Sequence, residues 1–248
     1  FTPDQHSNSL TSGNFQASNV DKYVDTRMHN VTLQYHSGSG LEVGGDYTHY
    51  TSDNNQTLHA DYADGGQSRF SITGGQKIDR YSIYADRKRS LAKEWDLGYG
   101  VSYRFAKDRD FQTYDKVTGD IPTENTDSRL REQTANVYVS LSKNYETGTS
   151  VSVSATGEYY TIGSYRKWAV YPQASLTYVK SPKHLFQLSL STDKTYPGYW
   201  DMQSSVSDLN GYTELWGTPG LKPSTTYNLN GNYIWKQKYI FGLFLMHS

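Results

Sequence analysis

The sequence predicts an all-β protein, an antiparallel up-and-down meander of about 12 strands with the pattern of a transmembrane β-barrel. Three observations lead there: an unusual composition, long stretches of period-two alternation, and a regular order of short and long connections. Apolar residues are only 35 % of the 248, against roughly 45–50 % in an ordinary globular domain, yet aromatic residues reach 15 %. Disordered chains are poor in aromatics, which excludes disorder as the explanation. A barrel with an apolar outside and a polar lumen accounts for both numbers, and for a mean hydropathy of −0.76.

Taken in chain order, the first half carries the weaker alternation. Arg27–His36, Leu41–Tyr50, Gln56–Ala63, Arg69–Gly74 and Asp79–Lys88 each read as a short strand. Trp95–Phe105 alternates Trp, Leu, Tyr, Val, Tyr and Phe with Asp, Gly, Gly, Ser and Arg. In Gln133–Lys143 the residues Ala135, Val137, Val139 and Leu141 share a face. Thr149–Tyr160 sets Val151, Val153, Ala155, Gly157 and Tyr159 against Ser150, Ser152, Ser154, Thr156 and Glu158. Leu185–Ser191 and Thr226–Trp235 repeat the pattern. Side chains of successive strand residues point to opposite faces, so alternation over such lengths marks half-buried strands.

Tight links fall at Ser37–Gly40, Asp64–Gln67, Ser90–Lys93, Tyr145–Gly148, Lys180–His184 and Lys236–Lys238, at every second connection. The long links, Lys107–Arg129 and Asp193–Ser224, fall only in the other set. Membrane barrels keep that parity, with short periplasmic turns at one rim and long extracellular loops at the other. Trp95, Tyr145, Tyr178, Phe186, Trp235 and Tyr239 gather beside the tight turns, as an interfacial aromatic girdle does. Two alternatives use the same strands: a complete small barrel of 12 strands, and a secreted soluble β-sandwich adhesin or carbohydrate-binding module.

Several chemistries are excluded or unsupported. The absence of Cys removes disulfides and thiolate metal sites, and a net charge of −1 without a basic stripe gives no footprint for nucleic acid. No apolar run approaches the roughly 20 residues of a membrane helix. The start, Phe1-Thr-Pro-Asp-Gln5, shows no signal-peptide pattern, which reads as a removed leader or an internal starting point. The seven His (His6, His29, His36, His49, His59, His184, His247) are scattered without metal-ligand spacing. Gly38-Ser-Gly40-Leu-Glu-Val-Gly44-Gly45 fails the dinucleotide spacing and reads as a hairpin turn. No nucleophile elbow or P-loop occurs, so no catalytic residue, metal, cofactor or enzymatic activity is expected.

From about Leu130 onward the chain resembles the outer-membrane β-barrel family common in Bacteroidetes, which supplies the barrels of many TonB-dependent receptors. The resemblance rests on the order of features. Strands Gln133–Asn144 and Val151–Tyr159 precede Ala169-Val-Tyr-Pro-Gln-Ala-Ser-Leu-Thr-Tyr178, similar to the family strand with an aromatic before proline. Leu188–Asp201 is similar to its strand running into an aromatic and proline loop. Gly217-Thr-Pro-Gly-Leu-Lys-Pro223 resembles its Gly-Asn-Pro-x-Leu-Lys-Pro-Glu signature, departing at Thr218 and Ser224. The resemblance implies a partial outer-membrane barrel domain over residues 1–248, about half of a barrel of about 22 strands. The plug and the segment that binds TonB would lie upstream, and Tyr239–Ser248 reads as a strand beginning its crossing. The implied function is uptake of a bulky nutrient such as a siderophore, cobalamin, oligosaccharide or peptide. The implied partners are outer-membrane lipid, the TonB system and a surface lipoprotein, with no nucleic acid.

Within the loop Asp193–Ser224, Tyr196, Tyr199, Trp200, Tyr212 and Trp216 are the candidate ligand-contacting residues, since rigid aromatics offer stacking area at low entropic cost. The competing expectation is that they pack the loop over the barrel mouth. Gly217, Pro219, Leu221, Lys222 and Pro223, the matches to the family signature, are expected to be structural. The loop Lys107–Arg129, with Asp108, Arg109, Asp110, Asp115, Lys116, Asp120 and Glu124, is expected to be solvated.

Overall fold

The computed structural model describes residues 5–13, 16–119, 124–204, 206–210 and 213–248. Among them, eleven strands form one antiparallel sheet in which every neighbour but one is also the next strand in sequence. These are β1 (Gln5–Gly13), β2 (Gln16–His36), β3 (Leu41–Tyr62), β4 (Gln67–Ser90), β5 (Trp95–Thr118), β6 (Thr126–Asn144), β7 (Ser150–Ile162), β8 (Tyr165–Ser181), β9 (His184–Thr195), β12 (Ser224–Trp235) and β13 (Tyr239–His247). A separate hairpin, β10 (Val206–Asn210) and β11 (Thr213–Trp216), lies in the long connection between β9 and β12. One continuous sheet takes the place of the two packed layers that a β-sandwich requires. β1 and β13 form its two edges and do not pair with each other.

The lower part of the sheet follows the expected alternation. Its outer face carries Val43, Ile83, Val101, Val137, Val153, Val170 and Leu188, and Ile83 and Val137 are 62 % and 58 % exposed. The inner face is polar. Tyr84 Oη donates to Glu42 Oε1 at 2.8 Å, the Ser82 hydroxyl donates to Asp46, and Asn136 donates to Ser102 at 3.3 Å. Aromatic rows bound the outer apolar band. At one rim Tyr178 stacks on Phe186 (6.2 Å between ring centres), Phe186 on Tyr233 (4.6 Å) and Tyr233 on Phe241 (6.0 Å), with Trp235 against Tyr239. At the other, Tyr47 stacks on Tyr81 at 4.7 Å, Tyr81 on Phe105 at 6.5 Å, and Tyr159 meets Trp168 at 4.6 Å. On β5 the band runs from Trp95 to Phe105. That is about 33 Å of strand, or about 25 Å along the membrane normal at a tilt of about 40°.

Above the second aromatic row the faces exchange polarity while the strands continue. The outer face of β4 changes from Tyr81 and Ile83 to Asp79 and Lys77, and the inner face from Arg80 and Ser82 to Ile72 and Phe70. The β2–β3 and β3–β4 pairings run through this point without a register shift. Val20, Leu58, Ala60, Phe70 and Ile72 therefore form a buried cluster on the inner face, flanked by Tyr62 and Tyr114. The outside medium explains the exchange: hydrocarbon below the row selects apolar outward residues, and water above it selects polar ones.

The exchange corrects three expectations. Leu41–Tyr50 and Gln56–Ala63 are one strand, as are Arg69–Gly74 and Asp79–Lys88, because the break in alternation between them is a change of medium and not a turn. Removing those two links moves the Asp64–Gln67 turn to the rim that carries the long connection. That rim thus holds tight turns as well as long links. The segment Lys107–Arg129 is mostly strand, with β5 reaching Thr118 and β6 starting at Thr126, and Asp108 and Asp110 are buried on the inner face. Asp120 lies outside the described residues.

The face assignment predicts an asymmetry in the complete barrel. Val139→Arg, at mid-band on the outer face, is expected to cost about 2–4 kcal/mol, and its inward neighbour Ser140→Arg less than about 1 kcal/mol. Urea unfolding in lipid vesicles reads both, and equal costs would refute the assignment.

Candidate functional site

Among its described residues, the connection from β9 to β12 crosses the inner face strand by strand. The Tyr196 hydroxyl donates to Glu158 Oε2 on β7, and the Tyr199 hydroxyl to Glu132 Oε2 on β6. The Val206 N–H donates to Gln112 Oε1 on β5 at 2.9 Å, and β10 packs on β2 and β3. A connection leaving β9 meets all of these strands only as a chord across a curled sheet.

Glu158 is the anchor. Lys194 Nζ on β9 donates to its Oε1, and Tyr171 Oη donates to the same oxygen at 3.4 Å. The ammonium lies 4.4 Å from the ring centre of Tyr160 and 4.2 Å from that of Tyr196. With side chains only 5 % and 12 % exposed, Glu158 and Lys194 form a desolvated ion pair. Such a pair is worth little against an apolar replacement, but removing one partner costs about 3–5 kcal/mol because the other charge stays buried. Burial first, and then the neighbouring carboxylates, push the Tyr196 and Tyr199 phenols above the ordinary range, so both remain protonated donors. Met202 adds an apolar contact, buried with Tyr160 and Ile162.

The five candidate aromatics separate into groups. Tyr196 and Tyr199 are the hydrogen-bonded anchors just described. Trp200 and Trp216 are 50 % and 66 % exposed. Tyr212 lies outside the described residues. The Gly217–Pro223 segment returns the chain to β12. The Thr218 N–H donates to the Asp201 carbonyl at 2.6 Å, and a Cβ on Gly217 would stand 2.2 Å from the Gln203 carbonyl oxygen, so only glycine fits. Gly220 supplies a φ of +96° for the next bend, where the Leu221 N–H donates to the Thr218 carbonyl at 3.4 Å. Pro219 leads into that bend, and Lys222 and Pro223 carry the chain from it to Ser224, the first residue of β12.

Sequence reasoning missed Glu132, Glu158, Lys194, Tyr160, Tyr171 and Met202. A faint signal existed in β7, where Glu158 is the one charged residue on a face of Ser and Thr. Its partners lie on other strands and on the loop, and no local pattern joins them. Among the described residues no group of three or more His, Asp or Glu is placed to hold a metal ion. The site offers a polar inner wall, a loop clamped to it, and exposed indoles.

A curled antiparallel sheet with an apolar outer band, two aromatic girdles and a loop folded inward defines the wall of an outer-membrane barrel. The chain belongs to the outer membrane protein beta-barrel family, whose model matches residues 36–248. This places it in the outer membrane, with the rim of the long connection on the extracellular side. No curated protein matches it in sequence. Among solved structures it is similar to the siderophore receptor PirA from Pseudomonas aeruginosa, at 9 % identity and TM-score 0.46, over 95 % of this chain and 49 % of that one. It is also similar to P. aeruginosa FpvA bound to heterologous pyoverdines, at 11 % identity and TM-score 0.43, over 93 % and 43 %. A third is BauA, the ferric preacinetobactin receptor from Acinetobacter baumannii, at 8 % identity and TM-score 0.37, over 96 % and 45 %. The chain spans less than half the length of each.

Two substitutions test the clamp. Lys194→Met strands the Glu158 carboxylate, and amide hydrogen exchange across 196–204 is expected to accelerate about 100-fold. Unchanged protection would show that the pair does not hold the loop. Gly217→Ala forces the Gln203 carbonyl aside and is expected to destabilise the loop by about 1–3 kcal/mol, read by the onset of proteolysis within 196–223.

Proposed function

We propose that this chain forms part of the barrel of a TonB-dependent receptor that takes up a bulky nutrient across the outer membrane. The observation that carries the proposal is the loop 196–223, clamped across the inner face by Tyr196 and Tyr199 while Trp200 and Trp216 stay exposed. A segment fixed across the inner wall obstructs free diffusion and suits a receptor that binds before it admits, because a ligand surface held in advance spares the ordering entropy. The open edges of the sheet support the partial-domain reading, since no open sheet is stable in hydrocarbon and closure requires further strands. The mechanism is binding followed by gated passage, with energy reaching the barrel through a TonB-contacting region outside this chain. The Gly217–Pro223 segment serves as the hinge-side brace of the loop, and a lipoprotein covering the mouth is compatible with the same rim.

The test uses the complete protein, titrated calorimetrically with a ferric siderophore, cobalamin, an oligosaccharide and a peptide. One class is expected to bind, and Trp200→Ala with Trp216→Ala to weaken it about tenfold or more, as lost stacking area does. Uptake of that ligand is expected to stop when the proton gradient is collapsed. Uptake that survives the collapse would refute energy coupling, and unchanged affinity in the double variant would remove the indoles from the site.

A further inference from the structure

The outer face directly above the upper aromatic row carries a patch of cations that the receptor reading does not use. In one row across the strands Asp79, Lys107 and Arg131 stand opposite one another, and in the next Lys77, Arg109 and Arg129 do. The second row sets three like charges side by side on adjacent strands. Direct opposition of like charges destabilises a sheet unless something neutralises it. The local acids are already engaged. Asp79 accepts from Tyr47 Oη at 2.7 Å and lies 2.8 Å from His49 Nδ1, while Asp127 takes both arms of Arg109 at 2.9 Å. Arg129 reaches Asp127 only at 3.7 Å and is 72 % exposed. Lys77 and Arg131 have no ion-pair partner among the described residues. The five cations outnumber the two acids, and all lie on the outer face just above the hydrocarbon.

Immediately below the patch, Tyr81, Ile83, Tyr103 and Phe105 line a shallow groove on the same outer face, inside the apolar band. Lys107 Nζ sits 5.6 Å from the Phe105 ring centre, at the join of the two zones. A molecule filling both zones must be anionic at one end and hydrocarbon at the other. We infer that Lys77, Lys107, Arg129 and Arg131 form a binding site for the phosphate groups of a phosphorylated glycolipid of the outer leaflet, with an acyl chain in the groove between Tyr81 and Phe105. Guanidinium forks suit phosphate oxygens, and the low dielectric of the headgroup region strengthens each contact. The bound lipid neutralises the row of like charges and fixes β4, β5 and β6 at the height where their faces exchange polarity.

The experiment titrates the delipidated complete protein in neutral detergent with bis-phosphorylated lipid A, read by native mass spectrometry. Lys77→Gln/Arg129→Gln/Arg131→Gln is expected to weaken binding about 100-fold, and dephosphorylated lipid A to show a similar loss on the parent protein. Lys77→Gln alone, which breaks no ion pair among the described residues, is expected to weaken it about fivefold. Arg87→Gln/Arg89→Gln, on the same face at the opposite end of β4, is expected to leave binding unchanged. Binding within about twofold of the parent in the folded triple variant, or equal competition by inorganic phosphate, would overturn the site.

Discussion

One constraint governs this structure: a β-strand has two faces and one register, but the medium outside it changes along its length. Strands β2 to β5 are 21, 22, 24 and 24 residues long, while a tilted strand needs only about 9–11 to cross hydrocarbon. The remainder stands in water. A ladder cannot slip by one residue midway without a bulge, so the chain meets the change by exchanging residue types between faces. Ile83 below and Lys77 above lie on the same side of β4, as do Arg80 below and Phe70 above on the other.

That exchange gives the extracellular extension a core of its own. Where the inner wall turns apolar, Val20, Leu58, Ala60, Phe70 and Ile72 form a buried cluster, and β10 packs on β2 and β3. Where it stays polar, Glu132 and Glu158 receive the phenols of the crossing loop. The loop is thus held in two ways at once, by the backbone hydrogen bond of Val206 to Gln112 at its far end and by buried charge at its near end. Buried charge is the more specific of the two, because a misplaced partner leaves an uncompensated ion.

The outer face answers to the same boundary from the opposite side. Aromatic rings mark the top of the hydrocarbon, and cations begin one residue pair above them. Inner clamp and outer patch share strands β5 and β6, since Glu132 and Arg131 are neighbours in sequence on opposite faces.

Much of this was legible in the chain itself. The all-β class, the meander, the girdle at Trp95, Tyr178, Phe186 and Trp235, and the membrane-facing residues from Trp95 onward follow from alternation, a local property that each residue pair carries by itself. Family membership followed from short-range motifs around Gly217–Pro223. The length of β3 and β4 did not, because the phase of alternation breaks at the water boundary and a broken phase reads like a turn. The clamp was equally hidden. Glu158, Lys194, Tyr196 and Tyr199 meet only after the sheet has curled and the loop has crossed it, and contact between residues so far apart in sequence depends on strand order and curvature. Sequence determined which face of each strand meets lipid. Tertiary structure alone decided which charges meet each other, because that pairing is set by the geometry of the whole wall.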